Sequence, residues 1–227
     1  MPKLELEETP PVAGEKKESC EDTTGGNFYG GKTRWMAQSF TPLEPYPVGK
    51  VTLWLCRNGL PGIVTVGIRN TDGEGHPTGG DLTSGQIAGD LLPETPNFAW
   101  VDIKIDPYDL SPDTLYAAVT RSPTAGAINQ LLSRRSVNNT CYPRGVALVS
   151  TNSGVSFDAQ AWDAAFQVWS AEQAGEYLKA GILHVRHPAL LAIVHKRGEL
   201  IVSEYDTLSS LDKEYLTGQV GLDVEAG

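Results

Sequence analysis

Residues 51–85 alternate between apolar and polar side chains, and this alternation constrains the fold more than any other feature of the chain. A period of two residues is typical of β-strands that have one buried face. Residues 58–62, between the two alternating runs, have the glycines and the proline of a turn. The pattern predicts two strands joined as a hairpin, which must bury its apolar face against a second sheet. The apolar positions are Val51, Leu53, Leu55, Val64, Val66 and Ile68.

Further segments of the chain have strand character, and strong helical periodicity is absent before residue 170. Asp106-Pro107 predicts a turn at the end of one of these segments. About eight strands at this spacing predict an all-β fold, an antiparallel jelly-roll β-sandwich over residues 28–170. The further strand candidates are residues 34–40, 82–92, 98–105, 115–121, 128–134, 145–149 and 164–169.

The first 27 residues combine prolines, glycines and a mixed run of charges. This composition predicts an extended N-terminal arm without a core of its own. Such an arm has two interpretations. The arm is either a loose terminus or a segment that becomes ordered against a neighbouring subunit.

Residues 171–227 have a different pattern and predict a small α+β C-terminal extension. Helices are expected at residues 171–179 and 210–216, with strands between them that include a hairpin. So short a segment cannot bury an independent core, and we expect it to dock on the sandwich or on another subunit. The residues expected to contact another subunit are Leu190, Ile193, Leu200, Val202 and Tyr205.

The 227 residues carry a formal net charge of −10, which argues against a nucleic-acid partner because such proteins usually present a basic face. No apolar run is long enough to cross a bilayer, so no membrane partner is expected. The acidic N-terminus has no hydrophobic region, which predicts synthesis in the cytoplasm without a signal peptide, although a trimmed precursor would look the same. Such a protein either stays in the cytoplasm or leaves it inside an assembly or by lysis, and we expect it in a virion or an extracellular assembly.

Three cysteines, an odd number, show no metal-binding spacing. Cys56 lies in a strand and is expected to be a small buried side chain. Cys20 and Cys141 lie in predicted loops and could pair. Without secretion, a reduced pair is the default expectation.

Asp72, Glu74 and Asp81 flank a glycine-rich loop and could offer oxygen ligands to a structural calcium ion. The loop lacks the residue order of an EF-hand, so the alternative of a solvated acidic turn is favoured. No other cofactor is indicated. His184 and His187 would point to opposite faces of a strand, which favours a structural or surface role over a shared metal ion.

Five tryptophans raise the question of a sugar-stacking surface. Trp54, Trp100 and Trp169 lie in predicted strands and are expected to pack in the core or between the sheets. Trp162 lies in a loop and is the best candidate for an exposed, glycan-binding residue. No catalytic residues are predicted, because no carboxylate pair, nucleophile elbow or phosphate loop has the required spacing.

Residues 51–55, 57–62 and 64–69, with Thr71-Asp72-Gly73 and His76-Pro77-Thr78-Gly79, resemble a recurrent jelly-roll module. This module occurs in anchored bacterial surface proteins and in tail and virion proteins of phages. The later segments 98–101, 115–117 and 166–169 are similar to its later strands, so that the resemblance covers residues 35–169. It implies a carbohydrate-binding-like β-sandwich used for adhesion or assembly. The chain shows no export signal or C-terminal anchor, which favours a particle component over a wall protein.

The sequence therefore predicts a non-enzymatic structural protein of a phage-like virion or surface assembly, as a capsid decoration or tail component. Its terminal segments would bind other copies of the chain and other particle proteins. The alternative is a carbohydrate-binding adhesion module that recognises a cell-surface glycan. A hydrolase is the third hypothesis.

Overall fold

The computed structural model describes residues 14–172 and the backbone of three short strands at residues 192–194, 200–202 and 224–226. The chain divides into two compact units: residues 14–172, called the β domain here, and residues 1–13 with 173–227. The β domain also contains a one-turn 3₁₀ helix, Gly89–Leu91. Its strands are β1 (Lys16–Cys20), β2 (Asn27–Gly30), β3 (Trp35–Phe40), β4 (Tyr46–Asn58), β5 (Ile63–Thr71), β6 (Pro77–Ala88), β7 (Ala99–Leu110), β8 (Tyr116–Arg121), β9 (Gln130–Arg134), β10 (Ala147–Ser150), β11 (Asp158–Ala159) and β12 (Phe166–Ser170).

These strands form two six-stranded antiparallel sheets, which confirms the all-β prediction for the β domain. In sheet 1 the order is β1-β12-β4-β9-β2, and β7 pairs with β4. Sheet 2 has the order β11-β10-β3-β8-β5-β6. Strand β4 is central to sheet 1, because it pairs with β7, β12 and β9.

One hydrophobic cluster contains residues of both sheets and forms the main core. The six apolar positions of the two alternating runs all belong to it, and each is at most 2% exposed. Burial of such side chains contributes about 1.5–3 kcal/mol each, which makes the alternation of β4 and β5 a principal determinant of this fold. The β domain is therefore sandwich-like, with two sheets sharing one core.

The predicted hairpin between β4 and β5 is wrong, although both strands are present. Strand β4 belongs to sheet 1 and β5 to sheet 2, so the connection passes from one sheet to the other. Gly59 and Gly62 have φ angles of +67° and +76°, the conformation that only glycine adopts without strain. A hairpin and a connection between sheets both require such turn residues. The sequence signal therefore does not distinguish them.

Part of the predicted N-terminal arm belongs to sheet 1. Strand β1 pairs antiparallel with β12, and Cys20 at its end is 1% exposed in the main core. Cys20 forms a disulfide with Cys141, whose Cα lies 5.4 Å away. The expectation of a reduced pair is therefore wrong. The fold brings together two residues that are 121 positions apart, and their spacing in sequence does not reveal this.

The turn predicted at Asp106-Pro107 is also wrong, because β7 continues to Leu110. Lys104 of β7 pairs with Lys50 of β4, the register then shifts, and pairing resumes between Tyr108 and Val48. Strand β7 pairs within sheet 1 only with β4. A proline is tolerated at a bulge of such an edge strand, where no ladder hydrogen bond requires its missing N–H.

In the second unit, β13 (Ala192–Val194) pairs antiparallel with β14 (Leu200–Val202), in the region where the sequence predicts a hairpin. Strand β15 (Val224–Ala226) pairs parallel with β14. The helices predicted at residues 171–179 and 210–216 lie outside the described residues, apart from Ala171 and Glu172, which are not helical. Over the residues that the structure describes, no α-helix is present.

Candidate functional site

Four large apolar side chains are exposed on three neighbouring segments of the β domain: the β4–β5 turn with the start of β5, the 3₁₀ helix, and the loop before β9. The side chains are Leu60, Ile63, Leu91 and Ile128, with exposed fractions of 59%, 48%, 85% and 78%. We call this group the apolar end. Large apolar side chains exposed in a group typically mark an interaction site, whereas single exposed apolar residues do not.

Hydrogen bonds hold the three segments of the apolar end together. The Leu60 N–H donates to Oδ1 of Asn129 over 3.0 Å, which links the β4–β5 turn to the loop that carries Ile128. The Gly62 N–H donates to Oδ1 of Asp90 over 2.7 Å, beside Leu91. The Gly89 N–H in turn donates to the Gly62 carbonyl over 2.7 Å. The exposed side chains are therefore presented on a preorganised surface.

Asp72 and Glu74, from the predicted calcium set, lie in the turn between β5 and β6. Together with His76 they bring one ligand atom each within 4.8 Å of one another. Asp72 Oδ1 accepts the backbone N–H groups of Glu74 at 3.0 Å and His76 at 2.8 Å, while Oδ2 lies 3.2 Å from His76 Nδ1. The hydrogen bond from the His76 backbone is the largest cause of the lowered pKa of Asp72. Asp72 thus holds the turn in shape.

The third residue of that set, Asp81, has different partners. Its Oδ1 accepts hydrogen bonds from Arg69 Nε at 2.7 Å and Arg121 Nη1 at 3.2 Å, and its Oδ2 pairs with Arg121 Nη2. Both guanidinium groups also lie over the ring of Trp35. The structure therefore separates Asp81 from Asp72 and Glu74, because its carboxylate is committed to two arginines.

Trp162, the predicted glycan-binding residue, is half-buried rather than fully exposed. Its ring packs against Phe28 with centroids 6.4 Å apart, and the guanidinium carbon of Arg135 lies 5.1 Å from the centroid of its ring. The guanidinium carbon of Arg34 lies 5.0 Å from the Phe28 centroid. We call Phe28, Trp162, Arg34 and Arg135 the arginine patch. Because Arg135 lies over the ring of Trp162, that face is not free to stack on a sugar.

Trp54, Trp100 and Trp169, which were expected in the core or between the sheets, do not lie in the main core. Val51, Leu53 and Leu55 face the core, so Trp54 points to the outer face of sheet 1. There it packs edge-to-face on Trp100, with ring centroids 5.1 Å apart. Trp169 is half-buried, with the Lys50 ammonium 4.1 Å from its ring centroid. Alternation predicts these strands correctly. It does not distinguish the core face from the outer face of a strand when both faces carry apolar residues.

A buried polar network lies beside the disulfide and was not predicted from the sequence. Glu18, which is 3% exposed, accepts a hydrogen bond from the Tyr142 hydroxyl at 2.6 Å and pairs with Arg144. Burial is the largest cause of the raised pKa of Tyr142, and the bond to Glu18 adds to it. The network fastens β1 to residues 142–144 and is structural in character.

The predicted subunit contacts fall in the second unit. Ile193 lies in β13, and Leu200 and Val202 lie in β14. Leu190 and Tyr205 lie outside the described residues, as do the histidines at 184, 187 and 195.

No protein-family model matches the chain, and no curated protein matches it in sequence. Among the residues that the structure describes, none lies in a helix with the length and hydropathy needed to cross a bilayer.

Proposed function

We propose that this chain is a non-enzymatic structural subunit of a phage-like particle or surface assembly, whose β domain is an exposed jelly roll. The observation that carries the proposal is the apolar end. Leu60, Ile63, Leu91 and Ile128 together expose apolar surface on segments that hydrogen bonds hold in place. We propose that a second copy of the chain covers this surface, as do neighbouring particle proteins in the complete assembly.

The physical argument is the hydrophobic effect. Each square ångström of apolar surface removed from water contributes roughly 25 cal/mol, so covering four such side chains favours association. Since the segments are already fastened together, little conformational entropy is lost when a partner binds. The main core contributes nothing to this surface, because its residues are buried within the domain.

The disulfide supports a location outside a reducing cytoplasm. Cys20–Cys141 joins β1 to the body of the domain, and such bonds persist in oxidising surroundings such as virion and cell surfaces. The buried carboxylates support a non-enzymatic role. Glu18 and Asp81 are held by arginines, and Asp163 accepts the Tyr142 backbone N–H at 3.0 Å. Each of these groups has a structural partner.

The test is the oligomeric state of the full-length protein, measured by sedimentation and light scattering over a wide range of concentration. Wild type should form oligomers, and the double variant Leu91→Glu/Ile128→Glu should shift toward monomer. Val155→Glu is the matched control, because Val155 is 84% exposed but lies outside the apolar end. Its oligomeric state should equal that of wild type.

A monomeric wild type at the highest concentrations would refute self-association through this surface. If oligomers persist in Leu91→Glu/Ile128→Glu but are lost in Val155→Glu, the contact lies elsewhere. Thermal unfolding of all variants shows whether each remains folded. The glycan-binding alternative has a different structural basis, the arginine patch.

A further inference from the structure

The arginine patch stands out because, among the residues that the structure describes, its cations have no ion-pair partner in an acidic protein. Every lysine and arginine of the β domain forms an ion pair with a described carboxylate, apart from Lys32, Arg34, Arg134 and Arg135. Arg134 Nη1 donates to the Gly25 carbonyl over 3.1 Å. The side chains of Arg34 and Arg135 form no hydrogen bond with another described residue. Their N–H donors are therefore available to a ligand.

The fold gathers these residues from four separate segments. Phe28 lies in β2, whose register pairs it with Ser133 of β9. Arg34 ends a turn in which Gly31 and Arg34 exchange backbone hydrogen bonds of 3.1 and 3.2 Å. Arg135 follows β9 and forms an isolated bridge with Ala164, which places it beside Trp162. The arrangement is therefore fixed by the two-sheet body rather than by one flexible loop.

Cation–π contacts restrain both guanidinium groups. Each lies about 5 Å above an aromatic ring, and the two rings are in contact. A guanidinium group in such a contact keeps N–H donors for a ligand, and its planar N–H edge matches the two oxygens of a carboxylate. Part of the entropy of holding the side chains has already been lost to these contacts, which favours binding.

We propose that Arg34 and Arg135 form a binding site for the carboxylate groups of an acidic polysaccharide, a polymer of uronic acid residues. Two neighbouring cationic edges match carboxylates that recur along a chain. A neutral sugar would leave both cations without a counter-charge, and Arg135 already covers Trp162.

The surface next to Arg135 favours a sugar polymer over an acidic peptide. Residues 138–140 are exposed and carry two amides and a hydroxyl but no charge. The Thr140 hydroxyl and N–H both donate to Oδ1 of Asn138, which leaves the amide NH₂ of Asn138 outside this bond. Amide and hydroxyl groups of this kind hydrogen-bond to sugar hydroxyls. The inference does not rest on the proposed assembly, since it uses none of the apolar-end residues.

Isothermal titration of the full-length protein with oligogalacturonate tests the proposal, and the methyl-esterified oligomer is the neutral control. We expect binding of the acidic oligomer that weakens at high salt, and little binding of the ester. Arg34→Gln and Arg135→Gln should each weaken binding about tenfold, since a charge-assisted hydrogen bond is lost in each case. Arg135→Lys should bind less tightly than wild type but more tightly than Arg135→Gln, because it keeps the charge without the planar edge.

Lys104→Gln is the control variant, because its side chain is 80% exposed in sheet 1 and pairs with Glu172. It should bind like wild type. Thermal unfolding confirms that each variant is folded. Absence of binding to the acidic oligomer, or binding that survives both arginine substitutions, would overturn the proposal. Equal or tighter binding of polyglutamate would overturn the sugar assignment and identify the patch as a site for acidic proteins. All of these outcomes are independent of the oligomeric state that tests the proposed function.

Discussion

Replacing Asp81 with asparagine should destabilise the β domain by about 2–4 kcal/mol at neutral pH. The Asp81 carboxylate accepts hydrogen bonds from Arg69 and Arg121, and the three side chains are only 15%, 13% and 18% exposed. Removing one partner of a buried ion pair costs about 3–5 kcal/mol, because the remaining charge loses its counter-charge. Both arginines also lie over the ring of Trp35, at 5.8 and 5.6 Å, and this contact partly compensates for the lost counter-charge. We therefore expect a loss somewhat below the full cost of breaking a buried pair.

The effect should depend on pH in a defined direction. Burial would raise the pKa of Asp81, but the hydrogen bonds from Arg121 and Arg69 outweigh burial and hold this pKa below the ordinary value of 3.8. A lowered folded pKa contributes stability that is present above the unfolded pKa of about 3.9 and is lost as pH falls through the folded value. Asparagine does not titrate. The difference between wild type and Asp81→Asn should therefore shrink below about pH 4.

Urea unfolding followed by tryptophan fluorescence, at neutral pH and at several acidic values, measures this difference. Asp102→Asn is the matched control, because Asp102 pairs with Lys50 but is 57% exposed, and exposed pairs contribute about 0–1 kcal/mol. Equal losses for the two variants at neutral pH would refute the argument from burial. A loss for Asp81→Asn that stays constant into strong acid would refute the argument from its pKa.

Two further predictions concern the framework of the β domain. Reduction of Cys20–Cys141, or the variant Cys20→Ala/Cys141→Ala, should lower the free energy of unfolding by about 2–5 kcal/mol, because the bond closes a long loop. Thermal unfolding with and without reductant measures this loss, and an unchanged transition would contradict the prediction. Gly85→Ala should cost about 1–3 kcal/mol, since its Cβ would lie 1.8 Å from the Lys104 carbonyl oxygen where β6 meets β7. Gly126→Ala is the control, because its Cβ would meet nothing within 4 Å, and equal stability of the two variants would show that β6 and β7 are not in close contact.

Alternation was sufficient to predict β4 and β5, because each strand buries every second side chain in the main core. It failed for β1, where the central position is Glu18. The described side chains that stabilise this buried glutamate, Tyr142 and Arg144, follow more than a hundred residues later, so no local pattern marks the strand. The disulfide could not be predicted for the same reason, since pairing of β1 with β12 brings Cys20 to its partner.

For the candidate sites, too, local groupings could be predicted from the sequence and long-range contacts could not. Trp162 was correctly identified as a residue outside the strands, but its partner Arg135 lies 27 positions earlier and meets it only through the bridge to Ala164. The carboxylates of Asp72 and Glu74 share one turn and could be grouped from their spacing. Asp81 is near them in sequence but is drawn away by Arg69 and Arg121, which occupy neighbouring strands of sheet 2. Long-range pairing between strands decides each of these cases.

The two proposed surfaces depend on forces that respond differently to salt. Contact through Leu60, Ile63, Leu91 and Ile128 would bury apolar area, which salts such as sulfate strengthen. Binding of carboxylates to the arginine patch would be screened as ionic strength rises. Because the protein carries a net charge of −10, salt also reduces repulsion between copies, which further favours association at the apolar end. Rising salt should therefore promote assembly while it weakens polysaccharide binding, and a parallel response of the two would mean that a single surface serves both.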